Sequence, residues 1–400
     1  MTEKIYLKDS YILEFDSPVV SAQKREEHFE VVLKSTAFYP ESGGQLHDGG
    51  ILDGCRVNKV YENKDGDVVH CLDDWTKKTG EIVSGKIDRV RRLANMRKHT
   101  GQHILSMALI KIAQAETMSS RLGEIESTVE VSQEAIDSTV IQKAEDLANE
   151  IIMKDYPVAI NYYEREELSR LPIRKIPERT GIIRIIQIGD FDYTACGGTH
   201  CHRTGEIGLV KIIRQEKLRG HLRLIFLTGK EALHDYAEKH QQISMLSGML
   251  TCHFRELDKS ISRLIEQNIS LRREVSLLNG QVLSSELREL IASSQEYCGI
   301  KIAYREYNNQ DLKNLKETAT KAVENDTVIL VLVAEDKILV AVSKGLSPNA
   351  VELARTIMEQ LGGKGGGGPI FAQVGGIPQG AHDRILEIIK ETISLKLKSE

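Results

Sequence analysis

The sequence predicts a multidomain α+β protein. A chain of 400 residues is too long for one small core and, at about one to two hundred residues per domain, should form two to four domains. Short strand-like runs fill its first part, a leucine heptad lies in its middle, and strands alternate with helices towards its end. We predict four segments: a small β-rich, barrel-like subdomain (1–86), an α/β subdomain (87–229), a helical coiled-coil connector (230–292) and a C-terminal α/β domain (293–400).

Composition excludes several classes of protein. Apolar residues make up 41% and charged residues 28%, as in average soluble proteins. The longest apolar run, TVILVLVA (327–334), is less than half of the roughly 20 residues that a membrane-spanning helix needs. Six cysteines without a CxxC pair, and no secretory signal after Met1, predict a reducing cytoplasm. The net charge of −5 argues against coating nucleic acid by bulk charge but leaves room for a local basic surface.

The first segment is strand-like. HFEVVLKST and GDVVHCL are short runs rich in β-branched residues, and SGG, DGG and NKDGD turns separate such runs. From Ile87 to about Met118 the apolar residues recur at steps of three and four, which predicts a helix. A second amphipathic helix is predicted over 130–158, ended by Pro157, and strands follow at IIRIIQIG and GLVKII.

The segment from about 230 to 290 has the clearest periodicity. With Phe254 at position a of a heptad, every d position from 257 to 278 is leucine, and the later a positions are Ile, Asn, Val and Val. This composition favours a parallel two-stranded coiled coil, in which Asn268 would fix the register. We therefore expect a homodimer through the 250–282 heptads. The alternative is an intramolecular helical hairpin that turns at Gly280.

The last segment is predicted as a separate α/β unit. It contains an apparent hairpin, TVILVLVAEDKILVAVS, between two helical stretches. A glycine-rich stretch, GGKGGGGPIFAQVGGIPQG (362–380), precedes the final helix and is predicted to be irregular. It is not a nucleotide-binding P-loop, because Lys364 is followed by glycine instead of Ser or Thr.

Two pairs of side chains suggest a metal site. His99 and His103 lie at i and i+4 of the predicted helix, so both imidazoles share one face. Cys196-Gly-Gly-Thr-His200 places a thiolate and an imidazole four residues apart across two glycines. Three His and one Cys suit Zn²⁺, although Cys201 and His202 are alternative donors. A zinc peptidase is disfavoured, because Thr100 occupies the position of its catalytic glutamate.

A third motif, TAFYPESGGQ (36–45), could be a simple turn. Together with HTGQH and CGGTH, however, it resembles the editing domain of alanyl-tRNA synthetases and their free-standing AlaX-type relatives. The segment GGKGGGGPIFAQVGG is similar to the DHH-associated domain that follows it in the long forms. Since editing-like sequence begins near Met1, we expect no aminoacylation core in this chain.

The resemblance implies specific roles. It makes His99, His103, Cys196 and His200 zinc ligands, and the activity the hydrolysis of serine, sometimes glycine, wrongly attached to alanine tRNA. Thr36 would recognise the serine hydroxyl, and Gly43, Gly44 and Gln45 would lie near the reacting ester. Three questions stay open: the preference between serine and glycine, whether zinc is catalytic or positional, and the general base. An acidic residue is common two places before the cysteine, but Thr194 stands there, with Asp192 further back.

Basic residues cluster twice near these motifs, which predicts contact with tRNA phosphates. Six basic residues and one acidic residue lie between 86 and 98, and five basic residues and one acidic residue between 211 and 223. The candidate contacts are Arg91, Arg92, Arg97, Lys98, Arg219 and Arg223, with Lys364 in the glycine-rich stretch.

We therefore expect a cytoplasmic, zinc-dependent hydrolase that edits aminoacyl-tRNA in trans, with tRNA as its partner and no membrane association. The alternative is a catalytically silent tRNA-binding paralogue that uses the same surfaces.

Overall fold

The structure, a computed structural model, describes residues 1–178, 180–308, 312–334, 336–377 and 382–398. It divides into two compact units, Met1–Met245 and Leu246–Glu400. The helices are α1 (Arg89–Ala113), α2 (Ser138–Met153), α3 (Gly229–Leu250), α4 (Leu257–Ser293), α5 (Leu312–Ala322), α6 (Ala350–Leu361) and α7 (His382–Leu397).

The strands of the first unit are β1 (Glu3–Lys4), β2 (Glu14–Lys24), β3 (Phe29–Leu33), β4 (Ser35–Thr36), β5 (Gly50–Leu52), β6 (Cys55–Glu62), β7 (Val68–Leu72), β8 (Ile82–Ile87), β9 (Thr117–Leu122), β10 (Ser127–Val131), β11 (Val158–Glu164), β12 (Ile182–Ile188), β13 (Asp192–Ala195), β14 (Val210–Leu218) and β15 (His221–Thr228). Those of the second unit are β16 (Gln295–Tyr297), β17 (Ile300–Tyr307), β18 (Val328–Ala334), β19 (Lys337–Val342), β20 (Lys364–Gly367) and β21 (Phe371–Gly375).

The predicted β-rich segment is a closed six-stranded barrel, in the order β2-β3-β7-β6-β5-β8. Closure pairs the edge strands, so no open sheet edge is left. Its core contains Val31, Leu33, Phe38 and Leu72, all without solvent exposure. The barrel-like fold predicted for the first segment is confirmed.

Helix α1 follows the barrel directly. Asp88 caps it by accepting hydrogen bonds from the backbone N–H groups of Val90 and Arg91. The helix ends at Ala113, earlier than expected, because Gln114 adopts a left-handed backbone conformation at φ +53°. From Met96 to Leu109 most of its side chains are buried, so it forms the centre of the unit.

Two sheets surround this helix, in the orders β14-β15-β10-β9 and β11-β12-β13. The strands expected at IIRIIQIG and GLVKII are present as β12 and β14. The second predicted helix is shorter than expected. Its first residues belong to strand β10, and the helix begins at Ser138 after the cap Asp137.

The coiled-coil connector predicted over 230–292 is two helices, not one. Thr251, at φ +49°, interrupts the helical path between α3 and α4. The alternative hairpin at Gly280 is wrong, because α4 continues through that residue to Ser293. The predicted boundaries at 86/87, 229/230 and 292/293 stay predictions.

The second unit contains a six-stranded sheet in the order β16-β17-β18-β19-β21-β20, and α4, α5, α6 and α7 supply side chains to its two cores. The expected hairpin is confirmed as β18 and β19. The glycine-rich stretch, predicted to be irregular, instead forms the hairpin β20–β21. A Cβ atom at Gly365 would lie 2.0 Å from the Gln373 carbonyl oxygen, so the glycine allows the strands to approach. Residues 378–380 of this stretch lie outside the described residues.

Among the described residues, no helix has the length and apolar character needed to cross a membrane.

Candidate metal centre

The four predicted ligands meet at one point. His99 and His103 lie on α1, Cys196 follows β13, and His200 lies four residues further on. Their donor atoms all fall within 4.8 Å of one another. Cys196 Sγ is 3.4 Å from His99 Nε2 and 3.3 Å from His200 Nε2.

These distances fit zinc. Zn–S and Zn–N bonds of about 2.3 and 2.0 Å at the tetrahedral angle put S and N about 3.5 Å apart. The contacts of the second imidazole nitrogens support the same reading, since metal-binding histidines normally donate their other N–H to an outer partner.

Gln45 provides such a partner for His99. Its Oε1 lies 2.7 Å from His99 Nδ1 and accepts from the Thr199 N–H at 3.1 Å, while its Nε2 donates to Thr199 Oγ1. Because Oε1 can only accept, Nδ1 of His99 carries the proton and Nε2 is left with a lone pair towards Cys196.

Thr100 does the same for His200. Its hydroxyl donates to the Met96 carbonyl oxygen at 2.8 Å and lies 3.2 Å from His200 Nδ1. Since the hydroxyl proton is already used, His200 Nδ1 must be the donor. Its Nε2 is therefore free to bind a metal.

His103 has a weaker outer contact. Its Nδ1 lies 3.7 Å from Asp192 Oδ2 and has no hydrogen-bond partner in the described residues. Asp192 is fully buried and is fixed by Arg174, whose Nε and Nη2 atoms lie 2.7 and 2.6 Å from its two oxygens. The carboxylate is therefore close to the imidazole but is held by the arginine.

Burial sets the protonation of the donors. It lowers the pKa of His99 to about 3, and the pKa values of His103 and His200 fall well below the usual value for the same reason, with smaller contributions from neighbouring positive charges. All three imidazoles are therefore neutral at pH 7. Burial raises the pKa of the Cys196 thiol, so a bound metal would have to displace its proton.

Close packing fixes the Cys196–His200 turn. A Cβ atom at Gly198 would lie 2.1 Å from His99 Cε1, whereas one at Gly197 would meet nothing within 4 Å. Buried Arg184, on β12, donates to the carbonyl oxygens of Cys196 and Gly198 at 2.7 and 3.0 Å. Only glycine at position 198 leaves room for the His99 ring.

A cavity of about 450 Å³ opens at the centre. Its walls include His99, His103 and Cys196, with Ser42 and Gly43 from the SGGQ loop. A larger cavity of about 830 Å³ adjoins it and shares the lining residues Gln102, His103 and Ala195. The smaller cavity therefore opens onto three of the four candidate donors.

The residues of the SGGQ loop occupy different environments. Gly43, at φ +56°, faces the cavity. Gly44 packs against β9, where a Cβ atom would lie 2.3 Å from the Ser120 carbonyl oxygen. Gln45 is fully buried and its amide is used by His99 and Thr199, so within this structure it positions the His99 ring.

Thr36 is fully buried and is not among the residues that line the smaller cavity. Its Oγ1 accepts from the Phe38 N–H at 3.1 Å and lies 2.9 Å from His70 Nε2. Since His70 Nδ1 donates to the Val31 carbonyl oxygen at 3.0 Å, the Thr36 hydroxyl donates to Nε2. The hydroxyl thus donates to His70 and accepts from the Phe38 N–H, which leaves one acceptor lone pair. Recognition of a substrate hydroxyl by Thr36 stays a prediction.

Burial also removes two of the predicted tRNA contacts. Arg92 is fully buried and bonds to the Asp48 carboxylate and to the carbonyl oxygens of Ser10 and Ala37. Lys98 is 2% exposed, and its Nζ donates to the carbonyl oxygens of Gly123 and Glu124. Neither side chain can reach a phosphate, because each satisfies buried oxygens.

The other predicted contacts lie at the surface to different degrees. Arg219 and Lys364 are exposed. Arg91 and Arg97 are half-buried and bond to the carbonyl oxygens of His47 and Glu206. Arg223 pairs with Glu130 at 2.6 Å, so its charge is already partly neutralised.

Sequence reasoning missed the roles of Thr100, Arg174 and Arg184. Thr100 lies inside the HTGQH motif, and its position beside the first histidine was the available signal. Nothing local marks Arg174 or Arg184, which reach the centre only through the pairing of β12 with β13 and through an irregular segment.

Comparison with known proteins gives concordant results. Residues 183–226 match the model of the "Threonyl and Alanyl tRNA synthetase second additional domain", and residues 297–395 match the DHHA1 domain. The alanyl-tRNA editing protein AlaX-L of Pyrococcus horikoshii is 33% identical over 92% of this chain and 93% of its own length. The alanine–tRNA ligase of Caldivirga maquilingensis is 31% identical over 93% of this chain, which spans 42% of the ligase.

Among solved structures, the C-Ala domain of alanyl-tRNA synthetase from Aquifex aeolicus matches 26% of this chain and 98% of its own, at 23% identity and a TM-score of 0.24, too low to carry an argument. The relationship rests on the sequence matches. Because one relative is a third identical along nearly the whole of both chains, this chain belongs to the AlaX-type family of alanyl-tRNA editing proteins.

Proposed function

We propose that this chain is a trans-acting, zinc-dependent hydrolase that cleaves the ester bond of serine, and also of glycine, misattached to alanine tRNA. The observation that carries the proposal is the convergence of three imidazoles and one thiol beside a cavity that His99, His103, Cys196 and two residues of the SGGQ loop line. Family membership supplies the substrate class.

The reaction answers a physical need. A pocket for alanine rejects an added hydroxyl by only about 100-fold, and a missing methyl group by roughly 1 to 3 kcal/mol. Errors in charging alanine tRNA therefore need a second site that hydrolyses them.

The metal centre fits Zn²⁺, and His99, His103, Cys196 and His200 would hold it. When bound, the ion would supply Lewis-acid polarisation and a fixed point for orienting the ester. Four protein donors complete a tetrahedral shell, which favours a positional role.

The residues around the donors position them. Gln45 and Thr100 hold the proton on Nδ1 of His99 and His200, so that each Nε2 faces Cys196. Asp192 lies behind His103 and lines neither of the two cavities described above, which argues against its being the general base. The larger adjoining cavity gives room for the terminal nucleoside of the tRNA.

Arg91, Arg97, Arg219, Arg223 and Lys364 are our remaining candidate tRNA contacts. Exposure favours Arg219 and Lys364, since the other three already bond within the protein. The cytoplasmic location that we propose agrees with six free cysteines.

The deciding experiment measures deacylation of seryl-, glycyl- and alanyl-tRNA by the purified protein. We expect hydrolysis of the first two and sparing of the third. Cys196→Ala should lose both activity and bound zinc, while Cys298→Ala, at an exposed free cysteine, should keep both. A flat time course for all three substrates, with tRNA still bound, would instead establish the silent paralogue.

We also propose a homodimer through α4. The heptad side chains Ile261, Leu264, Leu271, Val275, Leu278 and Val282 are each 41% to 59% exposed within this chain. Beyond them, Leu283, Leu287 and Ile291 are buried in the core of the second unit. A second copy would cover the exposed stripe with the Leu and β-branched composition of a two-stranded coiled coil.

A further inference from the structure

A groove of about 830 Å³ lies where the barrel meets the first turn of α1, apart from the metal centre. Its walls come from β5, β6, the end of β8 and residues 88–91, with Glu124 at one side. Four cations line it, and they are Arg56, Lys86, Arg89 and Arg91. Only two carboxylates, Asp88 and Glu124, oppose them.

Two of these cations have no partner among the described residues. Arg56 and Arg89 are exposed, and neither forms an ion pair or a side-chain hydrogen bond within the part of the chain that the structure describes. Lys86 pairs with Glu14 at 2.7 Å, but both side chains are about 70% exposed, so solvent screens the pair. The groove therefore presents uncompensated positive charge.

The acidic residues do not cancel this charge. Asp88 Oδ1 accepts from the backbone N–H groups of Val90 and Arg91, so its carboxylate is engaged with the helix terminus. Glu124 pairs with Arg91 at 3.2 Å. Gly49 and Gly54 also line the groove, and a Cβ atom at Gly54 would meet nothing within 4 Å. The groove therefore has no side-chain wall at these two positions.

Helix α1 links this groove to the metal centre. Ten residues separate Arg89 from His99, and at 1.5 Å per residue they span about 15 Å. One nucleic-acid strand advances about 3.4 Å per nucleotide, so about four to five nucleotides cover this distance. A chain whose end lies in the reaction cavity can therefore reach the groove with its backbone.

We propose that the groove between the barrel and α1 binds RNA phosphates a few nucleotides before the aminoacylated end, with Arg56 and Arg89 as the principal contacts. The proposal rests on the proposed function for its substrate. It moves the RNA-binding surface away from Arg92 and Lys98 and adds the barrel residue Arg56.

The test compares the wild type with the double variant Arg56→Ala/Arg89→Ala on two substrates, seryl-tRNA and the seryl ester of the trinucleotide CCA, which is too short to reach the groove. On seryl-tRNA we expect KM to rise roughly tenfold with little change in kcat. The slope of log binding constant against log salt for uncharged tRNA should fall by about one and a half. Lys64→Ala, at an exposed barrel lysine outside the groove, is the matched control.

On the trinucleotide ester the double variant should match the wild type. An equal loss on both substrates would overturn the proposal, because the arginines would then act on the reaction cavity. An unchanged KM and an unchanged salt slope would also overturn the proposal. So would a double variant that loses binding to phosphatidylserine vesicles but still binds tRNA like the wild type.

The experiment tests the groove and the proposed function independently. If the wild type hydrolyses neither ester, the proposed function is wrong, but the loss of tRNA affinity and salt slope in the double variant would still support the groove.

Discussion

The candidate metal centre depends on residues that are not themselves metal donors. Gly198 is the sharpest case, because its missing side chain leaves the space that the His99 ring occupies. The neighbouring Gly197 has open space instead, and neither glycine has a positive φ. The two positions therefore form a matched pair.

We predict that Gly198→Ala displaces His99 and lowers zinc affinity by about 10- to 100-fold, the range found when ligand orientation is disturbed. Gly197→Ala should bind zinc like the wild type. Competition with a chelator measures both, and equal affinity in the two variants would contradict the packing argument.

Thr36 gives a second prediction at this scale. Thr36→Val would remove the donor to His70 Nε2 and the acceptor of the Phe38 N–H, leaving two buried polar groups unpaired. We expect a loss of about 1 to 3 kcal/mol in the free energy of unfolding. Hydrolysis of seryl- and glycyl-tRNA should fall together, if at all.

Urea denaturation and parallel deacylation assays would check this. A selective loss of seryl-tRNA hydrolysis with unchanged stability would instead identify Thr36 as the group that recognises serine.

Sequence spacing predicted each of the two donor pairs, and the chemistry of three His and one Cys joined the pairs into one candidate site. Two histidines one helical turn apart, and a Cys and a His across two glycines, leave little choice of geometry. Burial was not predictable in the same way. Arg92 and Lys98 look like surface charges in the sequence, but α1 is central to its unit and turns both inwards.

At the scale of elements, α4 combines two kinds of surface along one helix. Its heptad stripe is exposed, whereas its last turns pack into the second unit. Within the described residues, the apolar stripe of this 37-residue helix is left 41% to 59% exposed, so a second copy would give it the missing cover.

We predict that Leu264→Asp abolishes the dimer, since a charge at a buried d position would be desolvated without a partner. Arg263→Asp, one residue away and off the a and d positions, should leave the dimer intact. Sedimentation at micromolar concentration measures the mass, and a monomeric wild type would reject the dimer outright.

Local pattern failed for two elements for physical reasons. The predicted helix over 130–158 includes the last two residues of strand β10, because a strand of five residues is too short to show a period against the helix that follows. The β20–β21 hairpin was read as irregular because glycine lowers strand propensity, yet the close approach of the two strands requires glycine. Tertiary contacts determine the structure of both elements.

At the scale of the whole molecule, the buried His70 links stability to pH. Burial lowers its pKa to about 4, against about 6.5 in the unfolded chain. The unfolded state therefore binds a proton that the folded state excludes between these values. The stability that this neutral side chain permits is present above about pH 6.5 and is lost as the pH falls towards 4.

We predict that the difference in unfolding free energy between pH 7 and pH 4.5 is smaller in His70→Gln than in the wild type by about 2 to 3 kcal/mol. Denaturant titrations at a series of pH values give this difference, and contributions shared by both proteins cancel. Parallel pH curves would show that His70 does not titrate in this way.

The buried pair of Arg92 and Asp48 has a consequence for how the chain can be divided. Asp48 belongs to a loop of the barrel segment and Arg92 to the helix that carries two of the candidate metal donors, and both are without solvent exposure. A fragment that ends at Lys86 would keep the carboxylate and lose the guanidinium, and removing one partner of a buried pair costs about 3 to 5 kcal/mol. The barrel is therefore unsuited to transplantation or separate expression, and recombination between relatives should exchange it together with the first turns of α1.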